Sequence, residues 1–181
     1  MKAFKDRDMW WYSKYTTSDD DPYMDGLTRL SAEDDAARAN WGGKWRTPTK
    51  EEYKELYEKC EWTLDSVNGV KGYRITSKVP GYTDKSIFLP YNSNAFGDFL
   101  DHEYDRGYYM TSDKKSSSEK GYMWRGCVVL EFQKYEYGTT DEVELDFGEN
   151  SSSLLGTKMS KIHITARERA NGYFVRAVCE K

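Results

Sequence analysis

The sequence predicts an α+β domain, and three observations carry that prediction. Two capped helix patterns lie between residues 32 and 60. From residue 73 onward the apolar pattern shortens to that of strands. The helices come first and the strands follow, rather than alternating with them, which separates this class from a parallel α/β fold. The chain has 181 residues, 38% of them hydrophobic, so it fits one domain able to bury a core without dense disulfides or a structural metal.

Residues 1–30 read as irregular. Trp10, Trp11, Tyr12 and Tyr15 form an aromatic lead, and Ser18-Asp19-Asp20-Asp21-Pro22 breaks it. Ser31-Ala32-Glu33-Asp34 is a capping-box pattern, and the Ala-rich run to Asn40 favours helix. Gly42-Gly43 stops it, which gives a first helix over about 32–40. Lys44-Trp45-Arg46-Thr47 is a short extended piece, since Pro48 biases Thr47 away from helix. Thr49 then caps a second helix over about 50–60, with Glu52 three residues later. Tyr53, Leu56, Tyr57 and Cys60 share one face of it.

Strands are expected at Tyr73–Ser77 and Ser86–Pro90, joined by a turn around Pro80-Gly81. Further strands are expected at Gly107–Ser112, Met123–Phe132, Glu142–Phe147, Lys161–Thr165 and Tyr173–Cys179. The serine runs 116–118 and 151–153 mark loops.

Composition excludes several function classes. Net charge is −4 and the basic residues are dispersed, which disfavours nonspecific nucleic-acid or anionic-lipid binding. No stretch approaches the ~20 apolar residues of a membrane helix, so no transmembrane segment is expected. The N-terminus lacks an apolar signal region, which is read either as a protein made without export or as a mature fragment with an added Met.

Motifs of chemistry are sparse. The Asp19–Asp25 cluster fails the EF-hand template and reads as a solvated turn. His102 lies in a polar loop and His163 in a strand, neither with a second His at ligand spacing. No nucleophile elbow, P-loop or dinucleotide fingerprint occurs. The expectation is therefore no enzyme, no cofactor and no metal. Asn150-Ser151-Ser152 matches a glycosylation sequon, and Asp65-Ser66-Val67 a short O-glycosylation pattern.

The surplus is aromatic: 15 Tyr, 6 Trp and 7 Phe exceed what a small core requires. Those in loops offer rigid amphipathic contact surfaces. Tyr91, Asn92, Asn94, Tyr104, Tyr135 and Tyr137, all in polar settings, are the candidate ligand-binding residues. Three cysteines leave at least one thiol unpaired within the chain. Cys60 and Cys179 are the candidate disulfide; it would close a loop of about 120 residues and add about 5 kcal/mol, given an oxidising compartment. Cys127 reads as a buried free thiol.

Ordered blocks then point to a family. Leu30–Tyr53, with Trp41-Gly42-Gly43-Lys44-Trp45-Arg46-Thr47-Pro48-Thr49 at its centre, is followed by Cys60-Glu61-Trp62-Thr63 and Val67–Tyr73. Ser86–Pro90, Gly107–Ser112 and Gly172–Val178 continue in the same order. Together they resemble the Fibrobacter succinogenes major paralogous domain over residues 28–181, with 1–27 as a lead segment. The resemblance implies a C-type lectin-like fold: two helices beside a small antiparallel sheet, the C-terminal strand central to it, and long loops. It also implies a cell-surface or extracellular place of the kind seen in Bacteroidetes and Fibrobacter proteins. The implied role is a binding or adhesion module for a protein or glycan.

Two departures from the family's pattern bear on this. The family's first strand is either replaced by the lead Phe4–Tyr15 or missing; if it is missing, the sheet edge near Gly172–Cys179 is open to a partner strand and to oligomerisation. The Glu-Pro-Asn and Trp-Asn-Asp calcium motifs of sugar-binding relatives are absent, which argues for calcium-independent binding. Two further readings stand beside the binding module: an assembly protein of a surface or virion complex that completes its sheet with a partner strand, and a catalyst of the formylglycine-generating type, for which no paired active-site cysteines are found.

Overall fold

The computed structural model describes residues 15, 25–96, 99–101, 106–114, 126–133, 162–168 and 171–180. Within them two helices and ten strands follow one another: α1 (Ala36–Trp41), β1 (Trp45–Arg46), α2 (Lys50–Lys59), β2 (Cys60–Val67), β3 (Val70–Ser77), β4 (Ser86–Pro90), β5 (Asn94–Phe96), β6 (Phe99–Asp101), β7 (Arg106–Lys114), β8 (Gly126–Gln133), β9 (Ile162–Glu168) and β10 (Val178–Cys179). All named strand pairs are antiparallel, in the sheets β2-β3-β4, β7-β8-β9, β5-β6 and β1-β10. The α+β class is the observed one.

The first helix starts later than its caps suggest. Ser31 and Asp34 form a turn instead, Asp34 N–H donating to the Ser31 carbonyl at 3.1 Å. Asp35 is the N-cap, its Oδ1 accepting from Ala37 N–H at 2.8 Å. Tertiary contact decides between the two caps. Asp35 is buried, and its carboxylate also accepts from the backbone N–H and the hydroxyl of Thr47, both at 2.8 Å. A buried carboxylate satisfied three ways outweighs the exposed Ser31 box.

The second helix keeps its expected start. Thr49 and Glu52 make the reciprocal capping box. Glu52 also receives Arg46 at 2.6 and 2.7 Å, while Arg46 Nε donates to Glu180 at 2.8 Å. The Arg46 guanidinium, more than the opposing burial and the Thr49 amide, holds the Glu52 carboxyl down at about 2. Asp113 of β7 fixes the same helix from another side. One oxygen accepts Lys50 N–H at 2.7 Å and the other accepts Arg29 at 2.7 and 2.9 Å.

A strand not among those expected follows α2 directly at Cys60, and Asn68-Gly69 turns it into β3. Both turn residues have positive φ, 51° and 80°, which a two-residue hairpin of this hand requires. Gly72 then sits where β4 crosses closest: a Cβ there would lie 2.2 Å from the Leu89 carbonyl oxygen. The expected strands at 73–77, 86–90, 107–112 and the 126–132 part of 123–132 are present, and the 162–165 part of 161–165 lies in β9. Residues 142–147 lie outside the described residues. The C-terminal strand is short. Only Val178–Cys179 ladders, against β1, while Gly172 and Phe174 make single bridges to Ala95 and Tyr109. The sheet edge expected to be open at Gly172–Cys179 is thus contacted from within the chain.

The core lies between α2 and the β2-β3-β4 and β7-β8-β9 sheets. Tyr53, Tyr73, Ile75, Leu89, Tyr109, Val128, Leu130, Phe132, Ile162 and Ile164 form it. Phe132 is its hub, with the Tyr109 ring stacked at 5.7 Å and the Tyr73 ring edge-on at 5.3 Å. Burial pushes the Tyr73 phenol up to about 12, and those of Tyr53 and Tyr109 higher.

Candidate functional site

Of the expected ligand-contacting residues, Tyr91 and Asn92 are the two with described side chains, and both belong to the fold's interior. Tyr91 packs inward, its ring 5.8 Å from Phe132 and 6.3 Å from Tyr73. Asn92 is buried; its Oδ1 accepts Tyr108 N–H and its own N–H donates to the Arg106 carbonyl, both at 2.8 Å. Both side chains are engaged with the fold. Asn94 begins β5, its backbone opposite Asp101. Tyr104, Tyr135 and Tyr137 lie outside the described residues.

The expected Cys60–Cys179 bridge is not formed; both are free thiols, as is Cys127. The two stand on separate sheets. Cys60 opens β2, half-buried against the core, and burial pushes its thiol up. Cys179 is exposed on β10, opposite Trp45. Cys127 is buried in β8, with its Sγ donating to the Arg167 carbonyl at 3.7 Å. Of the acidic cluster, Asp25 accepts Tyr15 N–H at 2.6 Å and Leu27 N–H at 3.1 Å. No group of three or more metal-ligating side chains occurs among the described residues.

Two arrangements stand out that residue pattern alone does not mark. The first is the second face of the β7-β8-β9 sheet. Strand alternation sends Tyr109, Val128, Leu130, Phe132, Ile162 and Ile164 to the core, which puts Tyr108, Cys127, Glu131 and Arg167 on the opposite side. Glu131 is 0% exposed, and Arg167 grips one of its oxygens through Nε at 2.9 Å and through Nη2. Arg106 approaches the other oxygen at 4.0 Å, and the Arg167 guanidinium lies 6.0 Å from the Tyr108 ring. The Tyr173 ring is 6.1 Å from the same tyrosine. Desolvation first, then the neighbouring Cys127, raises the Tyr173 phenol. Such a network fixes strand register: removing one member leaves a buried charge uncompensated. A lone Glu inside the apolar run Val128-Val129-Leu130-Glu131-Phe132 is its trace in the sequence.

The second arrangement is exposed. Trp41 ends α1 and Trp45 opens β1, with Gly42 and Gly43 between them at φ 68° and 55°. These positive angles let the chain reverse within two residues, which side-chain-bearing residues resist. The turn is closed by Gly42 N–H donating to Arg38 at 2.8 Å and by Trp45 N–H donating to Gly42 at 3.2 Å. Its exit is held by β10, where Glu180 N–H donates to Lys44 at 3.2 Å, and by the Asp35–Thr47 clamp. On this braced turn Trp41 is 59% exposed and Trp45 40%, with ring centroids 6.2 Å apart at 54°. The trace here is two tryptophans four residues apart around a double glycine, outside any continuing apolar period. Tyr82, on the Val79–Lys85 turn, and Phe174 are the other exposed aromatics among the described residues.

No helix among the described residues is long and apolar enough to cross a membrane. Comparison with protein-family models, with curated proteins and with solved structures finds no match.

Proposed function

We propose that the chain is a non-catalytic recognition module that binds a protein or glycan, without calcium, through aromatic side chains held on short braced turns. The observation that carries this reading is the exposed Trp41–Trp45 pair on a turn pinned at both ends. Large rings held in place lose little conformational freedom on binding, which is why such side chains dominate recognition surfaces. The reading includes a C-type lectin-like arrangement at a cell surface. Two helices before the larger antiparallel sheets, and a short strand between those helices laddered to the last described strand, support that arrangement. A glycan array and a protein array, each probed with and without EDTA, test it. Saturable binding insensitive to EDTA and lost in Trp41→Ala is expected. EDTA-sensitive binding, or no binding on either array, would overturn it.

One observation favours assembly as a second reading. Strand β2 is eight residues long and pairs only with β3 among the described residues. The two-residue turn makes Val67–Val70 a hydrogen-bonded pair, so alternation leaves the backbone groups of Trp62, Leu64 and Ser66 facing the open edge. Ser66 N–H is capped by the Asp65 carboxylate at 2.7 Å, which blunts that edge at one end. Under this reading, sedimentation at rising concentration shows a growing oligomer; a strictly monomeric species contradicts it.

A further inference from the structure

We propose that the Trp41–Trp45 notch is a glycan-stacking site, which takes the pyranose face of a neutral or acidic saccharide; the proposal rests on the binding-module reading and narrows it to one ligand class. Size is the first argument. With Trp41 59% and Trp45 40% exposed as whole residues, the pair offers at most about 250 Å² of surface, only part of it ring face. A stable protein interface draws about 800 Å² from each partner, several times more. One or two sugar rings match the smaller figure.

Geometry is the second argument. Sandwiching a flat aromatic group takes two near-parallel rings about 7 Å apart, twice the roughly 3.5 Å van der Waals contact distance. These rings stand 6.2 Å apart and 54° from parallel, so a planar ligand has no slot between them. A saturated, puckered ring instead lies across two tilted faces and presents C–H groups to both. The pair makes no ring contact with any other described residue, so both indoles remain for the ligand.

Charge is the third argument, and it separates a sugar from a cationic guest. Aromatic cages for ammonium groups depend on the attraction of a cation to ring faces. The segment 36–46 carries Arg38, Lys44 and Arg46 and no acidic residue. Arg46 is neutralised by Glu52 and Glu180, so the local positive charge is that of Arg38 and Lys44; with no acidic residue in the segment, a cationic guest lacks a counter-charge beside the rings.

The test is titration of the ¹⁵N-labelled full chain with three probes: cellotriose, maltotriose and trigalacturonate. The indole N–H resonances are read, with Trp41→Phe and Trp45→Phe each identifying one signal. Expected is a saturable shift of those two signals with at least one probe. Trp41→Ala is expected to weaken binding roughly tenfold or more, Leu64→Ala to leave it unchanged, and both variants to melt like the parent chain. Shifts spread over the other indoles, or binding that survives Trp41→Ala, would overturn the site. Silence with every probe and on the glycan array, together with Trp41-dependent capture on the protein array, would overturn the glycan and leave the binding module standing. Silence on both arrays as well as in the titration would overturn both.

Discussion

Two short connections, each bearing an aromatic residue among polar neighbours, have opposite fates. Tyr91-Asn92 leaves β4 and turns inward; Trp41-Gly42-Gly43-Lys44-Trp45 leaves α1 and turns outward. Local polarity does not separate them, since Asn and Ser flank the first and Asn and Lys the second. What differs is the neighbour. Tyr91 follows a strand laddered to the core and lies beside the Phe132 ring, so it completes the aromatic cluster. Trp45 lies on a two-residue ladder whose only partner among the described residues is β10, outside the core cluster, and it stays 40% exposed. An aromatic side chain goes where the register of its strand sends it. Polar surroundings in the sequence are a weak guide to exposure.

Substitutions at the two connections break or sharpen this contrast. The largest effect is expected at the hub. Phe132→Ala removes the ring that Tyr91 and Tyr109 pack against and should cost about 3–5 kcal/mol, read by chemical denaturation. Glu131 tests the other face of the same sheet. Arg167→Ala leaves that buried carboxylate without its closest cation and should cost about 3 kcal/mol, moderated by the partial exposure of the arginine. Asp35→Ala comes next, at about 2 kcal/mol, because it removes both the α1 cap and the Thr47 clamp that braces the exposed turn. It should loosen the tryptophan pair and weaken binding as well as stability. Tyr91→Ala should cost a similar 2 kcal/mol and leave binding intact. Trp41→Ala should stay within about 0.5 kcal/mol, as an exposed side chain does.

One further effect is electrostatic. The Glu52 carboxyl, held at about 2 chiefly by Arg46, sits below its ordinary value of 4.5. A depressed carboxyl contributes stability above its unfolded value and loses it as pH falls toward the folded one. The stability gap between the parent chain and Glu52→Gln should therefore be full at neutral pH and close between about 4.5 and 2. Thermal melts across that range measure it. A gap that stays constant would show that Arg46 does not hold the carboxylate.

The sequence carried some elements better than others for reasons visible in these residues. The helix at Lys50–Lys59 was legible because the Thr49 cap, the Glu52 reply and the apolar face agree. The start of α1 was not, since Ser31 and Asp35 both qualify as caps and only the distant Thr47 selects the second. Strand β2 carries the alternation Cys60-Glu61-Trp62-Thr63-Leu64-Asp65, broken only at Ser66-Val67, and the Asn68-Gly69 turn is its clearest sign. The Tyr91 and Asn92 placements depend on Phe132 and Tyr108, far along the chain. The Trp41–Trp45 pair was not among the expected contact residues; the general aromatic surplus is its only sign, and its exposure follows from a two-residue ladder that no local pattern specifies.

The most direct measurement sets Trp41→Ala beside Tyr91→Ala, each scored for melting temperature and for binding on the glycan and protein arrays. The expected result is a crossed pattern. Trp41→Ala melts like the parent chain and loses binding, whereas Tyr91→Ala melts several degrees lower and binds while folded. The opposite pattern, with Trp41→Ala destabilised and binding unaffected, would contradict the account: the tryptophan pair would then be a piece of the core, and recognition would lie elsewhere.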